Sequence, residues 1–331
     1  MTLLANAFAK AGLAAASIPL AACSSDDRIT GAPDAEVRSV PAGALSTTLA
    51  SAARPIRGTS ADYDPLLEAT RGKQFVLLGE ATHGTHEFYR ERARISMRLV
   101  REQGFRAVVI EGDWPDTDRV NRYVRSLGGD ASAQAALSAF QDFPRWMWRN
   151  AEFRDFVEAL RTHNATLPAA QRVGVYGMDV YNLFEAADAV IAYLASVDRA
   201  AAERARAQYL CFARYRPDPA RYGEAARRAE RSCERQAAAV LAELRARPRP
   251  QDPVAAEALF SAVRSAASVA GAEEYNRVAY AGANSWNVRD RRMAATVTDI
   301  AAHAEAVSGA PGKVVVWAHN SHVGDARATD M

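Results

Sequence analysis

Gln74-Phe75-Val76-Leu77-Leu78-Gly79-Glu80-Ala81-Thr82-His83-Gly84-Thr85-His86 is the stretch on which the fold turns. A short apolar run breaks at Gly79 into a polar loop. From His86 the pattern changes to that of an amphipathic helix, which runs to Gln103 and closes on Gly104 as a C-cap. Three more runs resemble the first: Phe105–Ile110, Arg172–Tyr176 and Lys313–Trp317. Apolar residues throughout each run suit strands buried on both faces of a parallel sheet. The prediction is an α/β fold with a mostly parallel central sheet flanked by helices. Helical spacing also covers residues 117–126, 150–163 and 183–196. From Arg199 to about Ala270 the chain is rich in Ala, Arg and Glu at helical spacing. This predicts helical hairpins inserted between strands, broken near Pro217-Asp218-Pro219 and Pro248-Arg249-Pro250. Glu224 with Arg228, and Glu203 with Arg206, fit ion pairs on those helices. The Arg excess there admits a basic patch, but the interleaved acids suit a solvated face.

Each predicted strand ends in chemistry. The first runs into Glu80 and His83, the second into Glu111-Gly112-Asp113, the third into Gly177-Met178-Asp179, the fourth into His319-Asn320-Ser321-His322. The carboxyl ends of strands in an open α/β sheet line one crevice, where ligands bind. Four of the six histidines lie in two of these loops. Strand ends are also polar simply because they meet water, so the whole set, rather than any member, carries the inference. Arg92 falls on the apolar side of its helix, with Phe88, Ile95 and Leu99. A buried guanidinium needs an anionic partner, and Glu80 or Glu111 could supply it; otherwise Arg92 snorkels to the surface.

These groups suit hydrolysis. A histidine takes a proton from water, a carboxylate orients its ring, and further histidines serve a leaving alcohol or an oxyanion. No G-x-S-x-G elbow is present, and Ser321 lacks that setting. His319-x-x-His322 with Glu80 and His83 is also a conceivable metal set, but its spacing is not diagnostic, so the metal stays an open question.

The chain has 331 residues and a formal charge of +2, too balanced for a nucleic-acid binder. Met1–Lys10, the apolar run Ala11–Ala22 and Leu20-Ala21-Ala22-Cys23 resemble a lipoprotein signal (residues 1–22), with Cys23 lipidated; an ordinary cleaved signal peptide is the alternative. Either predicts export, to the periplasm or cell exterior, with the lipid as a membrane anchor. Residues 23–57 are expected to be a flexible tether and residues 58–331 the folded domain. Outside the cytoplasm disulfides persist, so Cys211 and Cys233 are expected to pair across a helical hairpin; two free buried thiols are the alternative.

Gly79-Glu80-Ala81-Thr82-His83-Gly84-Thr85-His86-Glu87-Phe88 resembles the signature of the erythromycin esterase family. So do the strand from Gly104-Phe105 to Glu111, Trp146-Met147-Trp148-Arg149-Asn150, Gly177–Tyr181, Arg289–Ala294 and Trp317–His322. The similarity runs from about Tyr63 to the end. It implies water-mediated opening of a macrolactone ester without a covalent intermediate, and hence macrolide inactivation. No cofactor is required on that view. The family's base falls on His83, its glutamates on Glu80 and Glu111, its arginine on Arg92, and its late histidines on His319 and His322. Asp179, Trp148 and Arg289 are expected to bind the small-molecule substrate, with core packing an equally good expectation for Trp148. Family chains usually continue well past the late histidines, so a chain ending at Met331 is expected to be shortened at its C-terminus. A metal-dependent hydrolase and a non-enzymatic surface lipoprotein that binds haem or a metal are the competing functions. Oligomeric state stays open.

Overall fold

Four parallel strands form the sheet of the computed structural model: β1 (Phe75–Leu78), β2 (Ala107–Asp113), β3 (Gly174–Asp179) and β4 (Val314–Trp317), in the order β1-β4-β2-β3. The structure describes residues 42–142, 145–229, 232–279 and 285–324. Cys23 and the signal sequence lie outside them. The predicted α/β class and all four strands are present. The sheet belongs to a unit that begins at Arg57. Before it, within the stretch expected to be a tether, α1 (Ala42–Ala52) is helical, with Ser46 and Thr47 bonding back to the Gly43 carbonyl. Its Ala and Leu content favours helix over coil.

The remaining helices are α2 (Asp64–Ala69), α3 (His86–Gln103), α4 (Trp114–Val124), α5 (Ala133–Leu137), α6 (Ala151–Asn164), α7 (Leu183–Val197), α8 (Arg199–Ala213), α9 (Pro219–Ala229), α10 (Glu234–Arg245), α11 (Pro253–Ala279), α12 (Ser285–Ser308) and α13 (Asn320–Val323). Local signals fix several ends. Gly104 closes α3 with φ 71°, a left-handed value that glycine adopts without steric cost. The Asn150 side chain accepts the Phe153 amide at the start of α6.

Parallel neighbours need crossovers, and right-handed crossovers in opposite directions leave helices on opposite faces. The forward connections β1→β2→β3 carry α3 and α4–α6. These cover the face built from Val76, Leu78, Val108, Ile110, Val175, Val315 and Trp317. The return from β3 to β4 carries α7–α12. Met293, Ile300 and Ala301 of α12 and Phe260 of α11 cover the other face, on Val109, Tyr176, Met178, Val314 and Val316. The helices between Leu183 and Ala272 also enclose a core of their own. They break where the two Pro-rich stretches predicted breaks.

Four details differ from expectation. Strands β2 and β3 continue through Glu111 and Asp179, so these carboxylates stand on strands rather than in loops. The helix α12 gave little amphipathic signal because its buried positions include Arg289, Thr296 and His303 beside Val288, Met293 and Ile300. Glu224 does pair with Arg228 at 3.0 Å, but Glu203 pairs with Arg199 at 3.4 Å instead of Arg206. Cys211 and Cys233 are joined, with Cα atoms 6.1 Å apart, but they link α8 to the start of α10 across the intervening α9, not the two arms of one hairpin.

Cys233 is buried in the helical core, so the bridge clamps α8 and α10 at that point. Closing a loop of this size constrains the unfolded chain by about 3 kcal/mol. The Cys211→Ser/Cys233→Ser variant should therefore unfold in urea with a stability lower by about that amount. Mass spectrometry without reductant should find neither thiol open to alkylation; two alkylatable thiols, or an unchanged urea midpoint in the variant, would count against the clamp.

Candidate functional site

Glu80 is the first fixed point. It follows β1 with 1% of its surface exposed. Its Oε1 lies 2.8 Å from His83 Nδ1, and its Oε2 accepts from Arg92 Nη2 at 2.9 Å. Arg92 therefore turns inward as its place on α3 predicted, and Glu80, not Glu111, is its partner. The guanidinium sits over the rings of Tyr89 (4.7 Å) and Trp317 (5.1 Å), a cation–π environment that partly replaces lost water. With Nδ1–H donated to Glu80, the neutral His83 ring keeps the lone pair on Nε2. The Glu80 hydrogen bond holds the His83 pKa above its ordinary value; burial and Arg289 oppose this, and Glu111 assists.

Glu111 is the second fixed point, and a register shift between Ile110 and Asp113 aims it. Strands β2 and β3 approach closely here: a side chain at Gly177 would strike the Gly112 carbonyl. Glu111 Oε1 accepts from Arg289 Nη2 at 2.8 Å and lies 3.2 Å from His322 Nε2, while Oε2 accepts the His319 amide at 2.8 Å. Burial alone would raise the Glu111 pKa, but His322, Arg289 and the His319 amide bring it down to about 2. Arg289 also forks onto Asp179, at 2.9 and 2.5 Å. Arg289, expected to bind substrate, borders the cavity at 5% exposure and is engaged by two carboxylates, which raise its pKa against burial. Asp179 is spent on that pair and on the Val180 amide.

The late histidines differ. His322 stacks on Trp286 (4.8 Å, 16°), and its Nδ1 lies 2.7 Å from Asp290. At Nε2 it faces Arg289 Nη1 at 2.8 Å as well as Glu111. A guanidinium can only donate and a carboxylate can only accept, so Nε2 faces both kinds of partner; burial and Arg289 lower the His322 pKa, but the Glu111 and Asp290 contacts raise it on balance. His319 caps α13: its Nδ1 accepts from the Ser321 amide at 3.3 Å and from Ser321 Oγ at 2.9 Å, and its Nε2–H donates to the Ala81 carbonyl at 2.9 Å. Its ring centroid lies 5.2 Å from that of His83. Trp148 unites both expectations made for it. The indole is buried in the core and donates to the Glu111 carbonyl at 2.8 Å, and it also lines the cavity.

These residues open onto a cavity of about 610 Å³, bordered by His83, Glu111, Asp179, Trp148, Arg289, His319 and His322. Asp113, Asp116, Phe140, Tyr181 and Trp286 also line it, and none of these was singled out from the sequence. Asp113 stood in view beside Glu111. Its pKa is raised by burial, then by Asp179 and Asp116, and its Oδ1 accepts the Tyr181 amide at 2.6 Å. Burial lifts Asp116 to about 7 against its bond from Asn182. Among the described residues no group of three or more His, Cys, Asp or Glu is arranged to hold a metal ion; Glu80, His83, His319 and His322 each have protein partners instead.

The sequence profile described as erythromycin esterase matches residues 100–331. The chain belongs to the erythromycin esterase family. The matched segment holds Glu111, Asp179, Arg289, His319 and His322, while Glu80, His83 and Arg92 precede it. Three solved structures share the fold. A succinoglycan biosynthesis protein is 20% identical over 81% of this chain and 61% of its own, with a TM-score of 0.62. A Bacillus cereus protein is 22% identical over 85% of this chain and 66% of its own, with a TM-score of 0.64. A mutant of erythromycin esterase EreC in its open conformation is 17% identical over 79% of this chain and 64% of its own, with a TM-score of 0.54. The chain thus spans between 61% and 66% of the length of these structures.

An imidazole whose charged form is held by a carboxylate keeps its proton to higher pH; that stabilisation is present below the ordinary pKa of 6.5 and fades as pH rises through the folded value. NMR titration of His83 should give a midpoint above 6.5. In Glu80→Gln/Arg92→Met, which removes both buried charges together, the midpoint should drop. A midpoint that stays put in this double variant would break the assignment.

Proposed function

We propose that the protein is a carboxylic ester hydrolase that opens a macrolactone or a related ester by direct attack of water. The observation that supports this most is the His83–Glu80–Arg92 chain. Its geometry leaves one imidazole nitrogen basic, aimed away from its orienting carboxylate and beside a cavity large enough for a small-molecule ester. In this reading His83 Nε2 takes a proton from water as the water attacks the ester carbonyl. Glu80 orients the ring and stabilises the imidazolium, and Arg92 holds Glu80 in place through its Oε2. The Arg289-polarised end of the cavity faces the oxygen on which charge develops, and the acid that returns the proton to the leaving alcohol is His83 itself. Glu111 holds the His319 main chain and Arg289 in place. No cofactor enters these steps. The same proposal places the protein outside the cytoplasm, tethered through Cys23, with macrolide inactivation as its consequence.

Ser321 is the rival nucleophile, since its hydroxyl bonds His319. That ring, however, spends Nε2–H on the Ala81 carbonyl, and among the described residues neither of its nitrogens meets a carboxylate.

A mass-based screen of macrolides and simple esters should reveal a substrate that gains one water. On it, His83→Ala should lose at least about a hundredfold in turnover while the fold survives, the usual scale for removing a general base. Ser321→Ala should keep turnover within about threefold. Full activity in His83→Ala, or collapse in Ser321→Ala, would overturn the direct-water mechanism.

A further inference from the structure

A second cavity, of about 510 Å³, lies between the end of α10, the first half of α11 and the latter half of α12. It shares no lining residue with the cavity that holds His83. Its charge is one-sided: Arg245, Arg247, Arg249 and Arg264 line it against a single acid, Asp299. Two of these arginines are already neutralised in part. Arg247 pairs with Asp198 at 2.7 Å, and Arg264 pairs with Asp299 and bonds the Thr296 hydroxyl. Arg245 and Arg249 are exposed and make no hydrogen bond or ion pair among the described residues.

Arg264 supplies the independent observation. It is 5% exposed, yet its Nε has no hydrogen-bond partner among the described residues. The Nε of Arg247 is also buried and unpartnered. A buried donor without an acceptor costs about 1–3 kcal/mol; both atoms are closed to solvent, so they add to the positive field behind the cavity wall rather than make a contact within it. The site is also short of negative charge. Burial lowers the Arg264 pKa to about 10, and Arg245 and Arg292 push the same way against Asp299. Between the guanidinia the walls are apolar, from Leu259, Phe260 and Val263. The required ligand thus has two parts: an oxyanion with several acceptors and an apolar body.

We propose that this cavity binds an organic phosphate, a phosphate monoester carried on an apolar group. Guanidinium forks match phosphate oxygens in pairs; the three terminal oxygens of a phosphate monoester can meet Arg245 and Arg249 together, and its double charge suits Arg247 and Arg264 beside them, which a carboxylate with two oxygens and one charge does not match. The apolar body lies against Phe260.

Titration calorimetry on the full chain tests this with 1-naphthyl phosphate, 1-naphthol and inorganic phosphate as probes. Naphthyl phosphate should bind saturably, at least about tenfold more tightly than either fragment. Arg245→Ala/Arg249→Ala alters only exposed, unpartnered side chains, so the fold and any esterase turnover should persist while this affinity falls about tenfold or more. Absence of saturable binding, equal affinity for 1-naphthol, or equal binding in the double variant would overturn the proposal. Sedimentation with phosphatidylglycerol vesicles separates the sources. Pelleting that needs Arg245 and Arg249 assigns a lipid headgroup; binding of the naphthyl ester without pelleting assigns a soluble phosphate ester.

Discussion

Glu111 is a carboxylate shut away from water and still charged, and much of the structure follows from keeping it so. An isolated carboxylate in such a place would neutralise. This one does not, because three elements distant in sequence bring donors to it: Arg289 from α12, the His319 amide after β4, and the His322 ring from α13. Each donor is also bound elsewhere, Arg289 by Asp179 and His322 by Asp290. The end of the sheet is therefore fastened by charge as well as by packing, and strands β2, β3 and β4 are held in one arrangement at the cavity.

The Glu80 group is built on a different balance. Its two oxygens are divided between a structural cation and a titratable ring. Arg92 has lost nearly all contact with water and, among the described residues, two of its nitrogens have no hydrogen-bond partner, compensated by the faces of Tyr89 and Trp317. Removing one member of such a pair strands the other in a poor solvent, which costs far more than the pair itself contributes. The arrangement makes sense as a device for fixing an imidazole in one tautomer. As a source of stability it is a poor bargain.

Much of this was legible in the chain. Runs such as Val108–Ile110 and Val314–Trp317 have no polar alternation, so burial on both faces followed directly. The polar loops after them could then be placed on one rim, and Arg92 betrayed its inward turn by standing on the apolar side of α3. What escaped was long-range. Nothing local distinguishes Arg289 from the arginines around it on α12, and only the fold shows that Asp179 and Glu111 claim it. The same holds for Asp290, which reaches His322 from α12, and for Trp286 and Tyr181, which reach the cavity from α12 and from the segment after β3. The continuation of β2 past Ile110 depended on two glycines from different strands meeting, a pairing no single segment announces. The link of Cys211 to α10 needed the position of α9.

That meeting of Gly112 with Gly177 has its own consequence. Where two strands touch main chain to main chain, a side chain at Gly177 would part them, and one at Gly112, which lines the cavity, would press on the Trp148 indole. The floor at Gly112 is then set by the backbone, in any sequence that keeps the two glycines. Differences in which molecule fits must arise from the sides, where Phe140, Tyr181 and Trp286 stand on separate segments; Tyr181 and Trp286 also lie against the Arg289 guanidinium, so replacing either touches the ion pairs beneath. Such a vessel combines an invariant base with walls that are only partly interchangeable.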